Sequence, residues 1–211
     1  TSSVLVPYYD GYHGSLPSVV TGTSGNDNLW VPDLANGQSY ALKGLEGNDT
    51  LTGGQYDDDL IGGAGNDSMN GGGSYYGDTY IIGYDEGNDT ISNDYSDYGK
   101  SIIQFGEGIH VEDLRYEGIN TSTYGFDVII HIGETASVTI KNLEEGYALP
   151  KLQFSDGTFL NLKDVGIKFY FPKEGTAGND HMNGTFFHDL FTGAGGDDTI
   201  TGLKGNDTLN G

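Results

Sequence analysis

Aspartates recur in this chain at nine-residue spacing, each at the end of a glycine-rich run. Gly53 to Ile61 and Gly62 to Asn70 repeat one nonapeptide, which returns in Gly193 to Thr201 and Gly202 to Asn210. With the leading glycine as position one, position six is Asp58, Asp67, Asp198 and Asp207 in these stretches. The same phase puts Asp27, Asp49, Asp78, Asp89, Asp180 and Asp189 at position six of further turns. A single Gly-Asn-Asp marks only a turn. Repetition in phase stacks carboxylates, which are hard oxygen ligands for a divalent cation.

Each nonapeptide divides into two halves that position those carboxylates. Positions one to six are mainly Gly, Asn and Asp, which favour turns and tolerate positive φ. Positions seven to nine read as a short strand with one inward apolar side chain at position eight: Leu51, Leu60, Met69, Ile200 and Leu209. Two repeats close one coil, so residues 18 apart stack at the strand spacing of about 4.8 Å. Asp49 and Asp67 are 18 apart, as are Asp180 and Asp198, and Asp189 and Asp207. Asp58 and Asp78 are 20 apart, which fits the same edge with a two-residue insertion around Tyr75-Tyr76. Two carboxylates about 5 Å apart repel by roughly 3 kcal/mol at an effective dielectric near 20. A cation with a flexible oxygen shell removes that cost, with turn carbonyls as its remaining ligands. One large apolar side chain per repeat is too little to order a glycine-rich chain. The spacing therefore predicts a chain that folds only with metal.

This nonapeptide, G-G-x-G-x-D-x-U-x with U a large apolar residue, resembles the calcium-binding repeat of RTX (repeats-in-toxin) haemolysin-type proteins. The resemblance implies several bound calcium ions. Carried over position by position, the metal ligands are Asp27, Asp49, Asp58, Asp67, Asp78, Asp89, Asp180, Asp189, Asp198 and Asp207. This chain departs from the pattern at Tyr56 and Phe187, which stand at position four where glycine is usual. Asp27 has only a degenerate neighbouring turn, around Asn36-Gly37.

Between the repeats, Phe105-Gly106-Glu107-Gly108-Ile109, Glu112-Asp113-Leu114 and Leu152 to Thr158 resemble the haemolysin-type calcium-binding-related segment. That segment lies between repeat blocks in large RTX proteins, including iron-regulated RTX proteins and bifunctional haemolysins. Its usual tryptophan is replaced here by Asn142-Leu143. Alternating apolar residues in Ser101 to Phe105, Phe126 to Ile132 and Ala136 to Ile140 argue β-strands in hairpins.

The expected architecture is all-β: two calcium-binding parallel β-roll blocks flanking a β-hairpin segment. Residues 1–21 are a lead-in, 22–93 the first block, 94–170 the hairpin segment capping the roll, and 171–211 the second block. Thr1 is not a natural start and Gly211 opens a fresh repeat, which reads as a piece of a longer protein.

By the same resemblance, the chain is a non-catalytic module of a secreted protein, exported unfolded by a type I secretion system and folded by calcium outside the cell. Cytosolic calcium is too low for weak sites, whereas external calcium near millimolar meets affinities on the order of 10⁻⁴ M. The alternative is an adhesin or a carbohydrate- or partner-binding module that meets a glycan or cell surface.

Composition narrows the field further. Acidic residues outnumber basic ones 31 to 9, a net charge of −22 that argues against nucleic acid and anionic membrane. A disordered acidic tail would not carry 15 Tyr and 9 Phe. With no cysteine there is no disulfide, Cys-ligated zinc or thiol nucleophile. No apolar run approaches 18 residues, so membrane insertion is not expected. The sequence holds no H-E-x-x-H, no G-x-S-x-G and no Asp-Pro bond. Asp94-Tyr95-Ser96-Asp97 lacks the spacing of an EF-hand loop. His181 and His188 read as variable repeat positions rather than zinc ligands, and Glu144, Glu145 and Asp156 as solvated loop residues rather than an acid/base pair. Tyr75, Tyr76, Tyr80, Tyr84, Tyr95 and Tyr98 crowd the junction between block and hairpin. They read as a cap on the roll's open end, with saccharide or protein binding as the competing use.

Overall fold

Turns rich in glycine and aspartate send the chain back and forth between two sheets, one short strand at a time. The computed structural model describes residues 17–31, 38–73, 77–92, 100–121, 125–144, 149–162, 164–165, 170–184 and 188–211. Strands β1 (Ser18–Thr21), β3 (Tyr40–Glu46), β5 (Asp59–Ala64), β7 (Thr79–Ile82) and β9 (Ile102–Phe105) pair in parallel in one sheet. Strands β2 (Asn28–Trp30), β4 (Thr50–Thr52), β6 (Ser68–Asn70) and β8 (Asn88–Ile91) pair in parallel in the other. The fold is a parallel β-solenoid consistent with a β-roll.

Register aligns the position-eight side chains into two columns that meet in the core. One column is Val20, Leu42, Leu60, Tyr80 and Ile103; the other is Leu29, Leu51, Met69 and Ile91. Tyr80 is fully buried because its hydroxyl accepts a hydrogen bond from the Gly71 N–H at 3.0 Å, so it is a core residue. Tyr84 is half exposed, and Tyr75, Tyr76, Tyr95 and Tyr98 lie outside the described residues.

The middle of the chain is both a hairpin and a continuation of the roll. Strands β10 (Leu114–Asn120), β11 (Gly125–Ile132) and β12 (Ala136–Glu144) form an antiparallel meander, as their period-two pattern predicts. Strand β12 also pairs in parallel with β8, Ile140 opposite Ile91. Strand β13 (Lys151–Gln153) pairs in parallel with β9, Leu152 opposite Ile103, and β14 (Phe159–Asn161) closes that sheet antiparallel. Both pairs are 49 residues apart, so the meander is an insertion within one extended coil. The Ser101 to Phe105 stretch is therefore a parallel roll strand rather than half of a hairpin: period two reports a half-buried strand, not the direction of its partner.

The second roll is smaller. Strands β15 (Tyr170–Glu174), β17 (His188–Thr192) and β19 (Thr208–Asn210) form one parallel sheet, and β16 (His181–Asn183) with β18 (Thr199–Thr201) another. Met182 and Phe191 are buried between them. Ile200 is only half-buried and Leu209 is 46% exposed, because β18 and β19 are edge strands. The expected inward burial at these two positions is thus incomplete. Strand β15 lies against β10, joining the roll to the meander.

Candidate metal centre

The turn aspartates form hydrogen-bonded ladders along the roll edges. On one edge the N–H of Asp27 donates to Oδ1 of Asp49 at 2.7 Å, that of Asp49 to Asp67 at 2.7 Å, and that of Asp67 to Asp89 at 2.9 Å. On the other edge Tyr40 N–H donates to Oδ1 of Asp58 at 2.7 Å and Asp58 N–H to Asp78 at 3.0 Å. Asp78 N–H then meets the hydroxyl of Ser101 at 3.2 Å, which ends the carboxylate series. In the second roll Asp180 N–H donates to Asp198 at 2.9 Å and Asp189 N–H to Asp207 at 3.1 Å. All ten position-six aspartates thus sit in ladders. The stretch around Asn36-Gly37, and Phe187, lie outside the described residues. Tyr56 does not adopt positive φ at its position four, and its turn still places Asp58 in the ladder.

The second carboxylate oxygen faces the first glycine of its own turn. A Cβ on Gly44 would stand 2.1 Å from Oδ2 of Asp49 and 2.5 Å from the carbonyl oxygen of Gly62 on the next coil. Gly62 meets Oδ2 of Asp67 at 2.1 Å, Gly71 that of Asp78 at 2.1 Å, and Gly202 that of Asp207 at 2.2 Å. Glycine is required there because any side chain would fill the space beside the carboxylate. In Asp27, Asp58 and Asp180 this oxygen accepts from the N–H at position two, at 2.6, 2.7 and 2.7 Å. In Asp49 and Asp67, each 2% exposed, Oδ2 is buried with no hydrogen-bond partner. An ionised oxygen left so costs several kcal/mol unless something positive meets it.

The arrangement fits a hard cation with an oxygen shell: buried, unsatisfied carboxylate oxygens beside backbone carbonyls, and no sulfur. Among the described residues no three His, Asp or Glu side chains converge on one point, so carbonyl oxygens must complete any coordination shell.

Position five carries a second ladder that the aspartate argument missed. Asn48 N–H donates to the side-chain oxygen of Asn26 at 2.9 Å, Asn66 to Asn48 at 2.8 Å and Asn88 to Asn66 at 2.8 Å. Asp197 repeats the bond to Asn179 at 2.9 Å. These bonds run opposite in sense to the aspartate ladder, and the two together fix the turn register. Their signal was available, since asparagine recurs in the same phase one residue before aspartate.

Burial dominates the electrostatics. It pushes the carboxyls of Asp58 and Asp67 up to about 6 and that of Asp89 up to about 7, against backbone N–H bonds that favour the ionised form. Neighbouring charge adds to the rise, from Asp49 and Glu86 on Asp67 and from Asp67 and Glu86 on Asp89. Asp59, outside the ladders, is also pushed up to about 6 by burial.

All these values lie above the ordinary 3.8, so the metal-free fold holds these protons more tightly than the unfolded chain. Their contribution to stability is complete below 3.8 and is lost as pH rises through about 6 to 7. The metal-stripped chain should therefore show more β-sheet by circular dichroism at about pH 4.5 than at about pH 7.5. The calcium midpoint should rise as pH falls below about 6, where protons compete for the same oxygens. Equal β content of the stripped chain at both pH values would remove carboxylate burial as the dominant force.

The other candidate groups do not assemble. His181 opens β16, exposed, and His188 opens β17 in a different sheet. Asp156 is exposed in the β13–β14 turn, where the N–H of Thr158 donates to it at 2.8 Å and holds its carboxyl below the usual range. Glu145 and the 94–97 stretch lie outside the described residues. No helix among the described residues is long and apolar enough to cross a membrane.

Two segments, residues 43–74 and 174–209, match the RTX calcium-binding nonapeptide repeat (four copies). They contain Asp49, Asp58 and Asp67 of the first roll and Asp180, Asp189, Asp198 and Asp207 of the second. No curated protein matches the chain.

Proposed function

The matched segments being haemolysin-type RTX repeats, which bind calcium, we propose that this chain is a non-catalytic folding module of a larger secreted protein, ordered by calcium outside the cell. Its ligands are the ten position-six aspartates, completed by turn carbonyls. The observation that carries this reading is the pair of buried, unpartnered Oδ2 atoms of Asp49 and Asp67, stacked one coil apart beside glycine. Calcium supplies the positive charge that these oxygens lack. The chain's own residues do the rest: position-one glycines leave room, the asparagine ladder sets the register, and the position-eight columns close the core. Strands β10 and β11, which carry no repeat turns, serve as the cap that the 94–170 segment was expected to provide. Export unfolded through a type I secretion system and an extracellular destination are typical of RTX proteins and complete the proposal.

The test compares two neighbouring aspartates by calcium titration of the full chain. Asp67→Ala removes a ladder carboxylate and the acceptor of the Asp49 N–H, and should raise the calcium midpoint about tenfold. Asp59→Ala removes a half-buried position-seven carboxylate on β5 and should leave the midpoint within about twofold. Equal shifts would put the ligands elsewhere.

A saccharide- or partner-binding role is the second reading. It draws support from Trp30, 64% exposed, beside an open hollow of about 460 Å³ lined by Val31, Gly53, Gly54 and Gln55. An exposed aromatic side chain lining an open hollow suits a sugar ring, and a glycan array with the folded chain tests it.

A further inference from the structure

Four asparagines precede a glycine: Asn36, Asn70, Asn183 and Asn210. Asn36 lies outside the described residues. The other three stand at position nine, and the glycine opens the next repeat. Asparagine before glycine is open to attack by the main chain, because glycine has no Cβ to obstruct the approach. The glycine nitrogen loses its proton and adds to the asparagine Cγ; ammonia leaves and a succinimide ring closes. Water then opens the ring at either carbonyl, giving aspartate or isoaspartate. In isoaspartate the main chain runs through Cβ and Cγ and is longer by one methylene.

In the folded roll two of these pairs are held shut. The peptide joining Asn70 to Gly71 is bonded on both sides: its N–H donates to the Tyr80 hydroxyl at 3.0 Å, and its carbonyl accepts from Gly53 N–H at 2.8 Å. Gly71 is buried, and Tyr80 is fully buried. Gly184 is buried too, and its N–H donates to the Thr201 carbonyl at 2.7 Å. A buried, bonded N–H does not meet base from solvent, and ring closure must turn the peptide and break those bonds. The Gly72 N–H donates to Asn70 Oδ1 at 2.9 Å, which polarises the carboxamide, but attack needs the Gly71 nitrogen freed first. Asn210 and Gly211, by contrast, are exposed.

Neither turn has room for a longer main chain. A Cβ on Gly71 would lie 2.1 Å from Oδ2 of Asp78. One on Gly184 would lie 2.4 Å from the Gly202 carbonyl oxygen and 2.6 Å from Oδ2 of Asp189. An extra methylene before either glycine drives it against the aspartate of its own turn. We propose that Asn70 and Asn183 are deamidation sites guarded by the closed roll, that loss of calcium opens them, and that the isoaspartate formed keeps the coil from closing again. The inference rests on the calcium reading above, in which calcium holds the coils closed. Calcium loss is thereby recorded covalently: a brief loss is reversible and a long one is not.

The test ages the full chain at mildly alkaline pH in saturating calcium, in chelator, and in chelator with urea. Peptide mapping by mass spectrometry reads the gain as NH2 becomes OH at each asparagine, and fragmentation tells isoaspartate from aspartate. Asn70 and Asn183 should react at least about tenfold faster in chelator and in urea than in calcium. Calcium added back to the chelator-aged chain should recover less β-sheet by circular dichroism, in step with the isoaspartate at these two positions. The double variant Asn70→Gln, Asn183→Gln, whose longer side chains close a ring far more slowly, should recover fully after the same ageing. If that variant does not fold, the aged unaltered chain is separated into refolded and unrefolded pools, and isoaspartate at 70 and 183 should collect in the unrefolded one. Equal rates at both asparagines in calcium and in urea, or isoaspartate spread evenly between the pools, would overturn the proposal. Reaction in urea alone, with β-sheet kept in chelator, would overturn the calcium reading, and with it the trigger but not the guard.

Discussion

In calcium-free buffer near neutral pH the chain should give the far-ultraviolet spectrum of a coil, and millimolar calcium should convert it to β-sheet. The expectation follows from what the fold buries. Asp49, Asp58, Asp67, Asp78, Asp89 and Asp189 are each at most 2% exposed. Near neutral pH Asp58, Asp67 and Asp89 must either ionise without solvent or hold protons they would otherwise lose. Neither is cheap. The position-eight columns supply one large apolar side chain per turn, against the entropy of ordering glycine-rich backbone. The proposed ligands, buried oxygens of one coil and carbonyls of the next, would hold calcium, whose charge would offset that cost, and sites with Kd on the order of 10⁻⁴ M fill at millimolar calcium. Magnesium at the same concentration should leave the chain a coil, because it demands a tight octahedron and dehydrates reluctantly. A β-sheet spectrum that survives removal of calcium at neutral pH would defeat the proposal.

Much of this site was legible because its signal is a phase. Spacing of 18 residues between Asp49 and Asp67 stacks them whatever the side chains between do, and Met69 falls opposite Leu51 for the same reason. The Asp49–Asp67, Asp180–Asp198 and Asp189–Asp207 steps follow from that arithmetic alone, whereas Asp27–Asp49 and Asp67–Asp89 are 22 apart and Asp58–Asp78 20. Three features escaped it. Glu86 folds back to accept the Gly83 N–H in a turn one residue longer, whereas Glu46, at the same place before its turn's Gly-Asn-Asp, is exposed. The parallel pairings of β9 with β13 and of β8 with β12 join residues 49 apart, and no local pattern announces a partner at that distance. Position two also proved more demanding than its composition suggests. Leu45, Ala194 and Leu203 hold φ of 86°, 72° and 66° there, a region that costs an L-residue roughly 1–2 kcal/mol. The repeat enforces the turn over the preference of the residue.

The severest single change should be Gly65→Ala. Gly65 holds φ of 143°, which L side chains rarely adopt, and an added Cβ would stand 1.8 Å from the carbonyl oxygen of Gly47 on the preceding coil. That neighbour is backbone, so no rotamer can relieve the clash; the two coils must separate. Separation there acts on three things at once. It stretches the bond from Gly47 N–H to the Ala64 carbonyl at 2.8 Å, the asparagine bond from Asn66 N–H to Asn48 at 2.8 Å, and the aspartate bond from Asp49 N–H to Asp67 at 2.7 Å. A loss of about 3 kcal/mol in calcium-saturated stability is expected, read by urea unfolding. The calcium midpoint should rise with it, since the proposed ligands lie across the strained gap. Gly73→Ala is the control: no atom lies within 4 Å of its Cβ position and its φ is ordinary, so it should change stability by less than about 0.5 kcal/mol. If Gly65→Ala and Gly73→Ala unfold at the same urea concentration, the coils are not stacked as closely as the ladders require, and the metal centre built on that stacking falls with them.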